Sequence, residues 1–158
     1  MNTLDQKPLI VQIITLSFLG DLVLLAYIYF VYSTPSFLGP LIKKVMLVNG
    51  ATDQMDQMSL TMLESQLVEL TYRSLMSAIA IILILHSIIY LFFYRKSKFA
   101  AKYIQAYAYT AVIGGFLTFV LSLSDFKKET FAFLVVGIIY LFVLSLLKQV
   151  KIKKKKVR

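Results

Sequence analysis

The chain has 158 residues, of which 59% are apolar and 16% charged, and carries a formal net charge of +9, whereas soluble domains are roughly 45–50% apolar and about 25% charged. It contains no cysteine, which excludes disulfides, thiolate metal centres and cysteine nucleophiles. Four apolar stretches, 9–32, 75–94, 104–124 and 130–147, are each long enough, at about 1.5 Å per residue, to cross a hydrocarbon core about 30 Å thick. The expected fold is an all-α integral membrane protein: one membrane domain over 1–158, built as a bundle of four transmembrane helices. The remaining segments, an outer stretch 33–74, two short connections and two tails, leave no room for a soluble catalytic domain.

The first apolar stretch exceeds the length of a signal-peptide core, and Tyr32-Ser33-Thr34-Pro35 after it offers no small-residue cleavage site, so it is expected to remain as an anchor. Asp21 lies in the middle of this span, where a carboxylate costs several kcal/mol unless it is paired, hydrated or protonated. Ser17 is one turn away on the same face, and Gly20 makes room for a close neighbour.

Residues 33–50 open with turn chemistry and continue with Leu38, Leu41, Ile42, Val45 and Val48 at helical spacing. Pro40 suits a first helical turn and Asn49-Gly50 a helix end. With Lys43 and Lys44 on another face, this predicts a short interfacial helix in the first outer loop.

From Asp53 to residue 94 there is neither Gly nor Pro, so the second span is predicted to begin early, near residue 54, and to project about 20 residues beyond the membrane. Its outer part carries stripes at Met55, Met58, Met62 and at Leu60, Leu63, Leu67, Leu70. The 3, 4, 3 leucine spacing resembles a coiled-coil seam, which in water needs a partner. The candidates are the 37–48 element, a second copy, or another protein.

His86, the only histidine, is placed about 14 Å from Arg95 along the second span, while Asp21 is about 21 Å from Lys7 along the first. Helix tilt and a two-ended hydrogen-bond network can close that difference in depth. Span three carries Ala106, Thr110, Gly114, Thr118 and Ser122 at a spacing of four, with Gly115 alongside, the small-residue pattern of close helix packing. Thr110 and, from span four, Tyr140 fall near the depth of His86. A candidate intramembrane polar site therefore comprises Asp21, His86, Ser17, Tyr140 and Thr110.

Charge gives the orientation. Of the 17 basic residues, 12 lie in the N-terminal segment, the 95–103 connection and the 148–158 tail, with Asp5 as the one acid among them. The positive-inside rule then puts both termini in the cytoplasm. Nine of the ten tyrosines fall at the two predicted boundaries as aromatic belts, and Tyr140 alone is deep within a span. In the tail, Lys151, Lys153, Lys154, Lys155, Lys156 and Arg158 suit anionic lipid headgroups. The expected location is a bacterial inner membrane. The alternative is the endoplasmic reticulum, because Lys155-Lys156-Val157-Arg158 resembles a dilysine retrieval signal.

Enzyme motifs such as HExxH, GxSxG and the Walker loop are absent, and one histidine cannot form a histidine-rich metal site, so neither catalysis, a cofactor nor a metal is expected. Nucleic-acid binding is disfavoured because the basic residues collect where topology requires them. Two functions remain: a noncatalytic subunit of a larger membrane complex, associating through span three and the outer helix, or a small homo-oligomeric transporter or channel for protons or cations centred on Asp21.

Overall fold

A computed structural model describes residues 7–32, 34–49, 56–121 and 131–156, with side chains through residue 150 except that of residue 35. Within them are five helices: α1 (Lys7–Tyr32), α2 (Pro35–Val48), α3 (Gln57–Tyr94), α4 (Lys98–Leu121) and α5 (Phe131–Lys156). There is no strand among the described residues. Four helices are long and apolar enough to cross a membrane: α1, α3, α4 and the Phe131–Val150 part of α5. Met55, Ser122, Arg158 and the side chains of Lys151, Lys153, Lys154, Lys155 and Lys156 lie outside the described residues.

The helix ends follow local chemistry, with two departures from the sequence reading. Pro35, not Pro40, takes the opening turn of α2, where its missing N–H costs nothing, and Thr34 precedes it in extended conformation. Pro40 lies inside the helix. Asn49 ends α2, its main-chain N–H and its side-chain amide both donating to the Val45 carbonyl, at 3.1 and 2.9 Å. In α3, Asp56 stands outside the helix and accepts the Leu60 N–H at 3.0 Å, so the helix starts at Gln57 and not near 54. Its 38 residues amount to about 57 Å.

The chain divides into two compact units, residues 26–82 and residues 1–25 with 83–158. In the first, Leu38, Ile42 and Met46 of α2 are buried against Leu60, Leu63, Leu67 and Val68 of α3. The leucine seam thus has an intrachain partner. Lys43, itself exposed, reaches the half-buried Glu64 at 3.6 Å across the same contact, a pair of small energetic weight.

In the second unit, Ile10 and Ile13 of α1, Tyr90 and Phe93 of α3, Ala100, Ile104 and Ala108 of α4, and Val136, Tyr140, Val143 and Leu147 of α5 form one core. The α3–α4 turn is closed by Lys96 N–H to Phe93 O at 2.8 Å and Ser97 N–H to Phe92 O at 3.0 Å, a Schellman arrangement with Lys96 at φ 63°. Contact between α4 and α5 is made by glycine: a Cβ on Gly115 would stand 2.6 Å from the Phe133 carbonyl oxygen and 3.2 Å from Gly137 Cα. The buried line of α4 runs through Ala100, Ile104, Ala108 and Gly115. It is therefore displaced from the predicted stripe, of which Ala106 and Thr110 are exposed and Gly114 has open space where a Cβ would be. Thr118 is half-buried. Small residues repeat along both lines, and only the packing of α5 selects between them.

Candidate functional site

Asp21 is 1% exposed. Burying a carboxylate this fully demands donors, and the surrounding helices supply three. The Tyr140 hydroxyl donates to Oδ1 at 2.6 Å, with the Ser17 carbonyl as its second acceptor at 3.0 Å. Tyr90 donates its hydroxyl to Oδ2. His86 Nδ1 lies 2.8 Å from the same oxygen.

The histidine's tautomer follows from the acceptor. When Asp21 is ionised it can only accept, so Nδ1 then carries the proton, and in the neutral ring Nε2 is free to accept. Its partner is the Tyr103 hydroxyl at 3.0 Å. The hydrogen bonds therefore run Tyr103–His86–Asp21–Tyr140, linking α4, α3, α1 and α5.

Helical spacing builds this arrangement. His86 and Tyr90 are four apart on α3, and Tyr103 and Tyr107 four apart on α4, so each pair presents two polar rings on one face. The imidazole is surrounded edge-on by Tyr90, Tyr103 and Tyr107 at ring separations of 6.0, 5.8 and 4.8 Å. Tyr107 also meets Tyr140 at 5.3 Å. Gly20 lets the Tyr140 ring lie against the α1 backbone.

Of the residues singled out from the sequence, Asp21, His86 and Tyr140 are in direct contact, and Ser17 contributes its carbonyl. The Ser17 hydroxyl is buried with no hydrogen-bond partner among the described residues. Thr110 is not part of the cluster; it is exposed and bonds the Ala106 carbonyl at 3.2 Å. Tyr90, Tyr103 and Tyr107, which by sequence position are three of the nine boundary tyrosines, join the cluster. Their i, i+4 pairing, and the match of His86 and Tyr90 to one helix face, is the signal that separates them from ordinary boundary tyrosines.

No protein-family model, curated protein or solved structure matches this chain. Among the described residues no group of three or more His, Asp or Glu side chains could hold a metal ion. Asp21 already receives donors at both oxygens, so a metal cation would have to displace them, whereas a proton needs only a shift along bonds already formed.

Proposed function

We propose that this is a noncatalytic, proton-handling membrane protein in which Asp21 and His86 together take up and release a proton. The observation that carries the reading is a fully buried carboxylate joined at 2.8 Å to a titratable imidazole in the core of apolar helices. This narrows the transporter or channel reading of the sequence from cations in general to protons. The positive-inside rule supports both termini and the α3–α4 turn being cytoplasmic, with α2 and the start of α3 across a bacterial inner membrane. The basic end of α5 would then lie at anionic headgroups.

The test is proton movement into vesicles containing the full chain, followed with an internal pH dye. Wild type is expected to conduct and Asp21→Asn to lose that conductance. Equal flux in the two would overturn the reading.

One observation favours the second reading, a subunit of a larger complex. On the outer part of α3, Met58 is 77%, Met62 57% and Leu70 61% exposed, an apolar surface that in water calls for a partner chain. Because Leu63 and Leu67 pack on α2, charges there would disturb the fold first. The informative change is Met62→Glu with Leu70→Glu, which should release a co-purifying chain and leave the isolated protein's melting intact. Unchanged co-purification counts against this surface as an interface.

A further inference from the structure

We infer that Tyr103 is the port through which Asp21 exchanges protons, and that in this conformation the exchange reaches only the face carrying the α3–α4 turn. The inference rests on the proton-handling reading and adds its route and sidedness.

Exposure falls stepwise along the hydrogen bonds: Tyr103 is 37% exposed by residue area, His86 is buried and Asp21 is enclosed. Tyr103 is six residues into α4 from the turn, so its hydroxyl stands between the histidine and that end of the bundle. Among the described residues, the titratable groups that face the pair are Tyr90 from α3, Tyr103 and Tyr107 from α4, and Tyr140 from α5, with no second carboxylate and no lysine.

A proton can travel this line with every atom accounted for. One arrives at the Tyr103 oxygen as the hydroxyl's own proton passes to His86 Nε2. The Nδ1 proton then passes to Asp21 Oδ2. Asp21 becomes a neutral carboxylic acid whose O–H donates back to the bare Nδ1. His86 is again neutral, with Nε2–H now donating to Tyr103. One proton has been gained, and the Tyr103–His86 and His86–Asp21 bonds persist with their direction reversed.

Toward the other end the described parts of α4 and α5 pack closely. One turn past Tyr140 lies Gly137, whose backbone meets that of Gly115 so closely that a methyl group on Gly115 would strike the Phe133 carbonyl at 2.6 Å. No water file fits through such a contact. The next turn of α1 after Asp21 is Leu22, Val23, Leu24 and Leu25, of which Leu25 is buried in the bundle.

The test uses vesicles in which all full-length copies insert one way, with an acid jump applied to one face at a time. The carboxylic C=O infrared band of Asp21, assigned by its loss in Asp21→Asn, is the readout. The wild-type band should rise at least about tenfold faster for acid on the α3–α4 face than on the opposite face, and Tyr103→Phe should remove most of that advantage. Equal rates from the two faces overturn the inference while leaving proton handling intact, as does a Tyr103→Phe response as fast as wild type. If no carboxylic band forms from either face at any pH, the proton-handling reading itself falls, and this inference with it.

Discussion

A Cβ placed on Gly20 would lie 2.6 Å from Cε2 of Tyr140 and 3.1 Å from its Cζ. The Tyr140 hydroxyl reaches Asp21 because residue 20 has no side chain. Gly20→Ala should therefore displace the ring and break its bond to Asp21, at about 1–3 kcal/mol for overpacking, against about 1 kcal/mol gained in helix propensity. A double-mutant cycle checks the cause. In a Tyr140→Leu background, where the hydroxyl is gone and the ring replaced, Gly20→Ala should cost markedly less than in wild type. Equal costs would place the effect elsewhere.

Asp21→Asn should fold nearly as well as wild type, because the site can satisfy the amide. Its oxygen can keep the Oδ2 position, accepting from His86 and Tyr90. Its NH2 then meets Tyr140, whose hydroxyl proton turns to the Ser17 carbonyl 3.0 Å away. A stability loss of about 1 kcal/mol is expected. Asp21→Leu leaves the Tyr90 hydroxyl and His86 Nδ1 without an acceptor, while Tyr140 keeps the Ser17 carbonyl, at about 1–3 kcal/mol for each orphaned donor. Thermal unfolding of the two variants measures the difference. The single histidine supplies a second check: its 15N signals in Asp21→Asn should keep the proton on Nδ1.

Much of this was legible in the sequence, for identifiable reasons. Apolar runs and their lengths locate four helices, since nothing else in the chain can cover a backbone in lipid. Asp21 stands out because a mid-span carboxylate is expensive. Its pairing with His86 was not fixed by depth along two helices, where the apparent offset is about 7 Å; contact depends on tilt and side-chain reach. Tyr90, Tyr103 and Tyr107 were hidden by their own number, because tyrosines at a span's end already have a sufficient explanation as belt residues. The glycines of α4 show the limit most clearly. Gly114 and Gly115 are adjacent and chemically identical, and only α5 distinguishes them.

Asp56 gives a prediction outside the apolar core. A hydrogen bond with the Ser59 side chain, assisted by main-chain bonds at Ser59 and Met58, holds its carboxyl below the usual value of 3.8. A depressed value means that the folded state favours the ionised form. This support for the first turn of α3 is present above about 3.8 and is lost as pH falls through the lowered folded value. Protection of the Ser59 and Leu60 amides from hydrogen exchange should decline over that acidic interval. In Asp56→Ala it should be reduced at neutral pH and show no such acid dependence.

Lys96 occupies the left-handed position of the α3–α4 turn at φ 63°, where an ordinary side chain costs about 1–2 kcal/mol and glycine is preferred. Lys96→Gly relieves that strain but adds freedom to the unfolded chain worth about 0.4–1 kcal/mol. The net expectation is a small rise in melting temperature. Lys96→Val should lower it, because a β-branched residue fits this conformation poorly. If Lys96→Gly proves destabilising, the lysine is held there by contacts stronger than the backbone strain.

Gly114 and Gly115 supply a matched pair of substitutions one residue apart. A methyl on Gly114 meets no atom within 4 Å, so Gly114→Ala gains helix propensity and should stabilise by up to about 1 kcal/mol. On Gly115 the same methyl meets backbone, the Phe133 carbonyl at 2.6 Å and Gly137 N and Cα at 3.2 Å. Backbone cannot swing aside as a side chain can, so α4 and α5 must separate. Gly115→Ala should therefore destabilise, by about 1–3 kcal/mol of overpacking less the same propensity gain. Thermal unfolding of the two variants in one detergent makes the comparison direct, since intrinsic propensity cancels between them. Gly115→Ala melting at or above Gly114→Ala would mean that the predicted 106–110–114–118 line, and not the 100–104–108–115 line, carries the α4–α5 contact.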